Sequence, residues 1–343
     1  MQTYEQICLS LKKKEYAPLY FLCGEESYYI DLLASWFENN ILDEASKAFD
    51  MTILYGQELQ GDITRAVSEA RANGMMGRKI VIVKEAQTIK KWETLAAYVS
   101  VPNPQNILVI CYKYGSPDKR LKLFKDLDKQ AVMMQSDKLR DYEINKWIVN
   151  YIRQWNDEHK DDAVQIDEKI AQILADNLGN DLTKIVGEMQ KLLLGRPKGV
   201  NVIDSALVER NVGISKDFNV FELQSALIQG DAKKANQITQ YFADSKDHPI
   251  QKELIVLFNF FANLMIFHYV ADKSDDKGAA SKMVGVSPYF VKDYRAASKR
   301  FSKGKTMRII GYIRDIDAKS KGMNNLSAKD GDLWKELIYN ILH

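Results

Sequence analysis

The turn Gly24-Glu25-Glu26-Ser27 carries the residues whose types and spacing come nearest to a recognisable chemistry, the binding of a nucleotide phosphate. It follows the apolar run 19–23 and precedes a helical pattern, and a strand, a glycine turn and a helix are the parts of a phosphate-binding loop (P-loop). A working loop also needs several glycines, a lysine for the phosphates and a Ser or Thr for magnesium. Here one glycine stands without a lysine, and Glu25 and Glu26 put negative charge where a helix start attracts an anion. We therefore predict a degenerate P-loop that binds no nucleotide, in which Ser27 is either a helix cap or a remnant.

No other group of reactive side chains suggests an active site. The apolar run 80–83 ends in Lys84-Glu85, and we interpret this charge as the solvated rim of a sheet rather than as the acid of a nucleotide-hydrolysing site. The histidines are scattered and lack the spacing of metal ligands: His159, His248, His268 and His343. The cysteines form no CxxC pair and are interpreted as small core residues in a reducing cytoplasm: Cys8, Cys23 and Cys111. We expect no catalytic residue, no metal and no cofactor.

A second motif suggests binding rather than catalysis. Met75 and Met76 are adjacent large apolar residues between Gly74 and Gly77, in a segment that joins a helical pattern to the apolar run 80–83. Connections of this kind run over the surface, and methionine is flexible enough to fill a pocket of a partner. The alternative is that one or both side chains pack back onto the sheet. The residues alone leave both interpretations open.

The elements that position these motifs fall into two kinds. Up to about residue 137, near-continuous apolar runs alternate with helical patterns, which predicts a parallel sheet with helices on both faces. The predicted strands are 19–23, 51–55, 80–83, 107–112 and 131–134, and the predicted helices between them are 28–40, 62–72, 90–100 and 118–129.

After residue 138 only helical periodicity remains, so the fold class is α/β plus all-α. The predicted helices are 139–155, 167–178, 181–194, 202–210, 218–229, 231–243, 249–272, 287–300, 303–320 and 330–342. Breaks in this pattern divide the chain into three predicted domains: 1–137, 138–212 and 213–343. The polar stretch 272–278 is predicted to be a loop.

Bulk composition describes an ordinary globular protein. The 343 residues are 46% hydrophobic and 27% charged, which suits two or three soluble domains, and the net charge of +2 predicts no chain-wide attraction to nucleic acid. The N-terminal residues lack the apolar core of a signal peptide. The apolar stretch 254–270 is interrupted by Asn259, Asn263 and His268, which favours a buried bundle helix over a membrane span.

Six segments, spread in order from about residue 17 to 342, together resemble one family, the delta subunit of the bacterial DNA polymerase III clamp loader. They are PLYFLCGEESYYID, ARANGMMGRKIVIVKEAQ, NPQNILVICYKYGSPDKRLKLFKDL, LGNDLTKIVGEMQKLLL, FNVFELQSALIQGDAKKANQI and SKGKTMRIIGYIRDIDAKSKGM. The resemblance implies an AAA+-like α/β domain, a helical lid and a C-terminal collar domain. It also implies a subunit that opens the sliding clamp for loading onto primed DNA without hydrolysing ATP itself. The chain lacks the Ser-Arg-Cys trio of the related hydrolysis-competent and delta-prime subunits.

The resemblance also implies a site and partners. Members of this family grip the clamp with two adjacent apolar residues, which correspond here to Met75 and Met76, although many members have an aromatic residue at the second position. The implied partners are the sliding clamp (beta subunit), the gamma/tau and delta-prime subunits in a hetero-pentamer, and primed DNA through that complex, with no membrane. The alternatives are an AAA+ ATPase with an unusual loop and another AAA+-derived replication or repair adaptor, such as a helicase-loading factor.

Two basic runs have a less specific meaning. They comprise Lys119, Arg120, Lys122 and Lys125 in the first domain and Lys299, Arg300, Lys303, Lys305 and Arg308 near the C-terminus. Such runs are usually solvated helix faces. Contacts to neighbouring subunits or to nucleic-acid phosphate are the alternatives.

Overall fold

A computed structural model describes residues 1–118, 120, 122–215, 217–245, 248–270, 277–286, 288–325 and 327–343. The chain separates into two compact units. One comprises Met1–Leu139 with Asp181–Thr183, and the other comprises Arg140–Asn180 with Lys184–His343. The division into three domains at residues 137 and 212 stays a prediction.

The first unit is built on a five-stranded parallel sheet, as predicted. Its strands are β1 (Leu19–Gly24), β2 (Met51–Tyr55), β3 (Ile80–Lys84), β4 (Ile107–Lys113) and β5 (Val132–Ser136), in the order β2-β3-β4-β1-β5. The strand sequences are nearly continuously apolar because each face of the sheet has its own core. In β1, Phe21 and Cys23 belong to one core while Tyr20 and Leu22 belong to the other.

The α-helices described in this unit are α1 (Tyr4–Lys12), α2 (Tyr28–Asn40), α3 (Glu44–Asp50), α4 (Thr64–Arg71), α5 (Glu93–Ser100) and α6 (Lys122–Gln130). The sequence prediction missed α1 and α3. Helix α3 has seven residues, too few for a periodic pattern, and its start is fixed by Asp43, whose carboxylate accepts the Ser46 N–H at 2.8 Å. The predicted helix 118–129 begins later, at Lys122, and Lys119 and Leu121 lie outside the described residues.

Helices dominate the chain after Arg140. They are α7 (Asp141–Glu158), α8 (Glu168–Leu178), α9 (Leu182–Gly195), α10 (Ser205–Val212), α11 (Val220–Gln229), α12 (Ala232–Asp244), α13 (Ile250–Val270), α14 (Lys277–Val284), α15 (Val291–Arg300), α16 (Lys303–Ser320) and α17 (Asp330–Leu342). The sequence prediction missed α14, whose first residues fall in the predicted loop 272–278. The rest of that loop lies outside the described residues.

The expectation that only helices follow residue 138 is wrong in one place. Two short parallel strands, β6 (Gln165–Ile166) and β7 (Val202–Ile203), pair with each other. The helix predicted at 202–210 therefore starts after Asp204, whose carboxylate accepts the Leu207 N–H at 2.8 Å. Two-residue strands carry too little sequence pattern to be recognised.

The apolar helix α13 is a core helix of the C-terminal bundle. Among the described residues it alone has the length and composition to cross a membrane. Its Leu257, Phe261 and Leu264 are nevertheless buried in a core shared with α16 and α17. A separate face leaves large apolar side chains exposed: Ile255, Phe258, Ile266 and Tyr269.

Candidate functional site

Met75 and Met76 lie on the surface, in the loop between α4 and β3. The two residues are 78% and 60% exposed. Neither side chain packs back onto the sheet, which was the alternative that the residues alone left open. Two adjacent methionines that expose this much apolar surface gain free energy when a partner covers them.

The backbone of this loop is held by a buried carboxylate. Asp50, the last residue of α3, is 1% exposed, and its Oδ1 accepts the Met75 N–H at 2.6 Å while its Oδ2 accepts the Met76 N–H at 2.7 Å. A buried carboxylate needs such donors, and hydrogen bonds to a charged acceptor are stronger than neutral ones. One side chain thus fixes both amides of the methionine pair.

The two glycines that flank the methionines serve this geometry. Gly77 has φ +140°, a conformation that residues with side chains avoid. At Gly74 a Cβ atom would lie 2.4 Å from the Gly77 carbonyl oxygen and 3.1 Å from the Asp50 carboxylate. The pattern Gly-Met-Met-Gly therefore lets the chain close around Asp50 while the side chains between the glycines stay exposed.

Asn106 fixes both ends of the loop. Its buried side chain donates to the carbonyls of Ala70 and Ala72 at 2.9 and 2.8 Å, and its Oδ1 accepts the Lys79 N–H at 3.0 Å. The end of α4 is thereby tied to the start of β3. Lys79 also pairs with Glu69 of α4.

Sequence reasoning did not identify Asp50 or Asn106. Asp50 lies 25 positions before Met75, and Asn106 lies 27 positions after Lys79. The available signal was weak, since it amounts to a polar residue placed directly before an apolar strand. Asp50, Lys79 and Asn106 each precede a strand, namely β2, β3 and β4, which are neighbours in the sheet.

The Gly24 turn lies at the opposite, carboxyl end of β1. Gly24 has φ +144°, and a Cβ atom there would lie 1.9 Å from the Ser136 carbonyl oxygen. Its N–H donates to the Gly115 carbonyl at 2.8 Å, and its carbonyl accepts the Gly115 N–H at 3.0 Å. The close approach to the end of β5 is therefore a sufficient reason for glycine at this position.

Glu26 fills the start of α2. It is 4% exposed, its N–H donates to the Ser136 carbonyl at 3.0 Å, and its Oε1 accepts the Tyr28 N–H at 2.8 Å. The carboxylate of Glu26 thus accepts a hydrogen bond from a backbone amide at the start of a helix, and amides in this position bind phosphate in a P-loop. Glu25 is exposed, and Ser27, in the cap position of α2, makes no side-chain capping hydrogen bond. Ser27 is therefore the cap residue of α2 by position, as one of the two interpretations predicted, but its side chain does not do the capping.

Reactive groups elsewhere stay apart. Within the described part of the chain, no three His, Cys, Asp or Glu side chains are arranged to hold a metal ion. His248 is buried and pairs through Nδ1 with Glu253 at 2.8 Å. Cys111 is fully buried, and burial raises the pKa of its thiol to about 12, which keeps the sulfur protonated and unreactive.

The two basic runs differ in their surroundings. In the first run, Arg120 pairs with Asp118 at 2.8 Å, and Lys119 lies outside the described residues. In the second run, Lys299, Arg300, Lys305 and Arg308 converge on a pocket. The fold thus brings these four basic side chains together.

Comparisons with known proteins agree over the length of the chain. A family model described as DNA polymerase III, delta subunit, matches residues 20–136, and one described as DNA polymerase III delta subunit, C-terminal domain, matches residues 217–327. The DNA polymerase III subunit delta of Bacillus subtilis is 27% identical over 96% of this chain and 94% of its own. The solved structure of the Bacillus subtilis DNA clamp loader delta protein has a similar fold, with a TM-score of 0.51, 24% identity and 99% coverage of both chains.

Proposed function

The chain belongs to the DNA polymerase III delta subunit family, and from this premise we propose that it binds the sliding clamp through Met75 and Met76 and opens it for loading onto primed DNA. Family membership supports a role in a clamp loader. The exposed methionine pair, with its backbone fixed by Asp50, is the observation that carries the assignment of the contact.

The energy available from this contact suits a hot spot. Burying one methionine side chain contributes roughly 1.5–3 kcal/mol, so the pair contributes roughly 3–6 kcal/mol before ordering costs. Because Asp50 already orders the loop backbone, less conformational entropy is lost on binding. Energy concentrated in two adjacent side chains is typical of interface hot spots.

Clamp opening then follows from differential affinity. We propose that this wedge binds best to a clamp conformation whose interface is already loosened, because that conformation would offer the pocket that the methionines fill. The bound clamp therefore shifts towards the open state in proportion to this difference in affinity. The subunit needs no chemical step of its own for this.

ATP hydrolysis is assigned to neighbouring subunits. In the Gly24 turn, the amides of Gly24, Glu26 and Tyr28 already have acceptors within the chain, and Glu26 supplies one of them. The proposed partners are the gamma/tau and delta-prime subunits, and the exposed apolar face of α13 offers a surface for them. We place the complex in the cytoplasm.

The test is a double substitution, Met75→Asp with Met76→Asp, assayed for binding to immobilised clamp. We expect binding to be abolished while circular dichroism and assembly with the other loader subunits are unchanged. Met323→Asp is the matched control, because Met323 is also exposed, at 64%, and lies on the C-terminal unit. Unchanged clamp affinity in the double variant would contradict the assignment of these residues.

A further inference from the structure

A pocket of about 400 Å³ lies where the end of α15, the start of α16 and the end of α17 meet. Basic side chains of α15 and α16 and two serines form its polar wall: Lys299, Arg300, Lys305, Arg308, Ser298 and Ser302. Among the described residues, no acidic one lines it. The pocket thus concentrates positive charge although the whole chain carries a net charge of only +2.

The described structure gives the four basic side chains of this pocket no ion-pair partner. The sequence from Tyr294 to Arg314 contains seven Lys or Arg residues and no Asp or Glu. Burial, followed by repulsion from Arg308 and Arg300, lowers the pKa of Lys305. Like charges held close together in this way are stabilised by an anion.

The backbone adds to the attraction. Ser302 caps α16 by accepting the Lys305 N–H at 3.3 Å, so the positive end of an 18-residue helix lies at the pocket wall. Arg300 extends towards Gly230, where a Cβ atom would lie 2.8 Å from the Arg300 Nη2. The absence of a side chain at Gly230 therefore leaves the room that this guanidinium occupies.

We propose that this pocket binds phosphate groups of a DNA backbone. The positive charge of four basic side chains exceeds the single negative charge of one phosphodiester. It matches the charge of several successive phosphates in a polyanion. The phosphate chemistry follows from the pocket itself, while the choice of DNA over a free polyphosphate rests on the proposed clamp-loading function. The C-terminal unit of this chain would then contact DNA directly, in addition to any contact made by its neighbours.

The experiment measures binding of fluorescently labelled primed DNA to the full chain over a range of salt concentrations. The variant is Lys305→Gln with Arg308→Gln, and the control Lys198→Gln with Lys233→Gln removes the same charge from exposed sites outside the pocket. We expect the pocket variant to lose about tenfold or more in affinity at low salt. The slope of log affinity against log salt should fall by about 2, while the control changes little.

Three other results would overturn the proposal. Equal losses in the pocket and control variants would mean a general charge effect, and no loss in either would mean that the pocket does not contact DNA. Tripolyphosphate binding that depends on Lys305 and Arg308, with DNA binding unaffected, would assign the pocket to a free polyphosphate. Clamp affinity, measured in parallel, should be unchanged in the pocket variant, so failure at the pocket and failure at Met75 and Met76 are distinguishable.

Discussion

The carboxylate of Asp50 lies 2.6 Å from the backbone nitrogen of Met75, and its second oxygen lies 2.7 Å from the next amide. A residue that is itself buried thereby fixes the backbone of an exposed pair of apolar residues. The proposed contact with the clamp therefore depends on a side chain that touches no partner.

Asp50→Asn should loosen this loop. An amide offers one acceptor oxygen and turns a donor group towards the other N–H, so one backbone amide loses its partner. We expect the free energy of unfolding to fall by about 1–3 kcal/mol. The amides of Met75 and Met76 should exchange hydrogen faster, and clamp affinity should fall.

Asp43→Asn is the matched control for this change, since it alters the same helix at its other end and Asn caps helices as well as Asp. It should leave stability and exchange nearly unchanged. If Asp50→Asn left the exchange of both methionine amides as slow as before, Asp50 would not be what holds the loop.

Gly24→Ala should strongly destabilise the protein even in the absence of any nucleotide. The new methyl group would lie 1.9 Å from the Ser136 carbonyl oxygen and would require φ +144° of a residue with a side chain. We expect a loss of at least about 3 kcal/mol, measured by denaturant unfolding. The control is Gly187→Ala, in α9, where a new Cβ atom would have no neighbour within 4 Å among the described residues outside the local helix backbone. This substitution should raise the free energy of unfolding by about 0.5–1 kcal/mol. A mild effect of Gly24→Ala would show that β1 and β5 can separate at this point.

Glu26→Ala should not restore nucleotide binding. The substitution removes the acceptor of the Tyr28 N–H and should cost about 0.5–2 kcal/mol, as the loss of a helix cap does. The amides of Gly24 and Glu26 would still donate to Gly115 and Ser136. A fluorescent ATP analogue should therefore show no saturable binding to either protein. Saturable binding at micromolar concentrations by the unmodified chain would favour the ATPase alternative.

Stability should fall as pH rises from about 4 to above 7, because of Asp176. Burial raises the pKa of this carboxyl to about 7, against a smaller opposing effect of the hydrogen bond from Gln172, and nearby Glu253 raises it further. The folded state therefore holds a proton that the unfolded chain has released. The stabilisation is complete below the unfolded pKa and is lost as pH passes the folded one, by up to about 1.4 kcal/mol per pH unit.

Asp176→Asn tests this pH dependence, because the amide cannot ionise and still offers an oxygen to Gln172. Denaturant unfolding at pH 5 and pH 8 should show a smaller difference between the two pH values for the variant. Relative to the unmodified chain, the variant should gain most at pH 8. Equal pH dependence in both proteins would mean that Asp176 is ionised in the folded state at neutral pH.

The sequence predicted those parts of the fold that many consecutive residues encode. Each strand of the parallel sheet is a run of apolar residues with a core on either face, as at Leu19–Gly24, and such runs are recognisable without a structure. Helix α3 and the pair β6 and β7 were missed because each is too short to show a period.

The candidate site divides in the same way. The methionine pair was found because adjacent apolar residues between two glycines stand out locally. Asp50 and Asn106 act across more than twenty positions and carry no local signal. The two glutamates of the Gly24 turn look equivalent in sequence, yet only Glu26 turns inward onto a helix-start amide, while Glu25 remains in solvent.

The anchoring of the methionine loop also has a mechanical consequence. A tensile force applied at Met75 and Met76 passes through Asp50, Lys79 and Asn106 into the ends of three adjacent strands, β2, β3 and β4. Because these three strands are hydrogen-bonded to one another, the force is distributed over the hydrogen bonds between them, and no single strand carries it alone. The loop is therefore stiff, and in the proposed contact with the clamp the strain of ring opening would be stored in the clamp rather than in this loop.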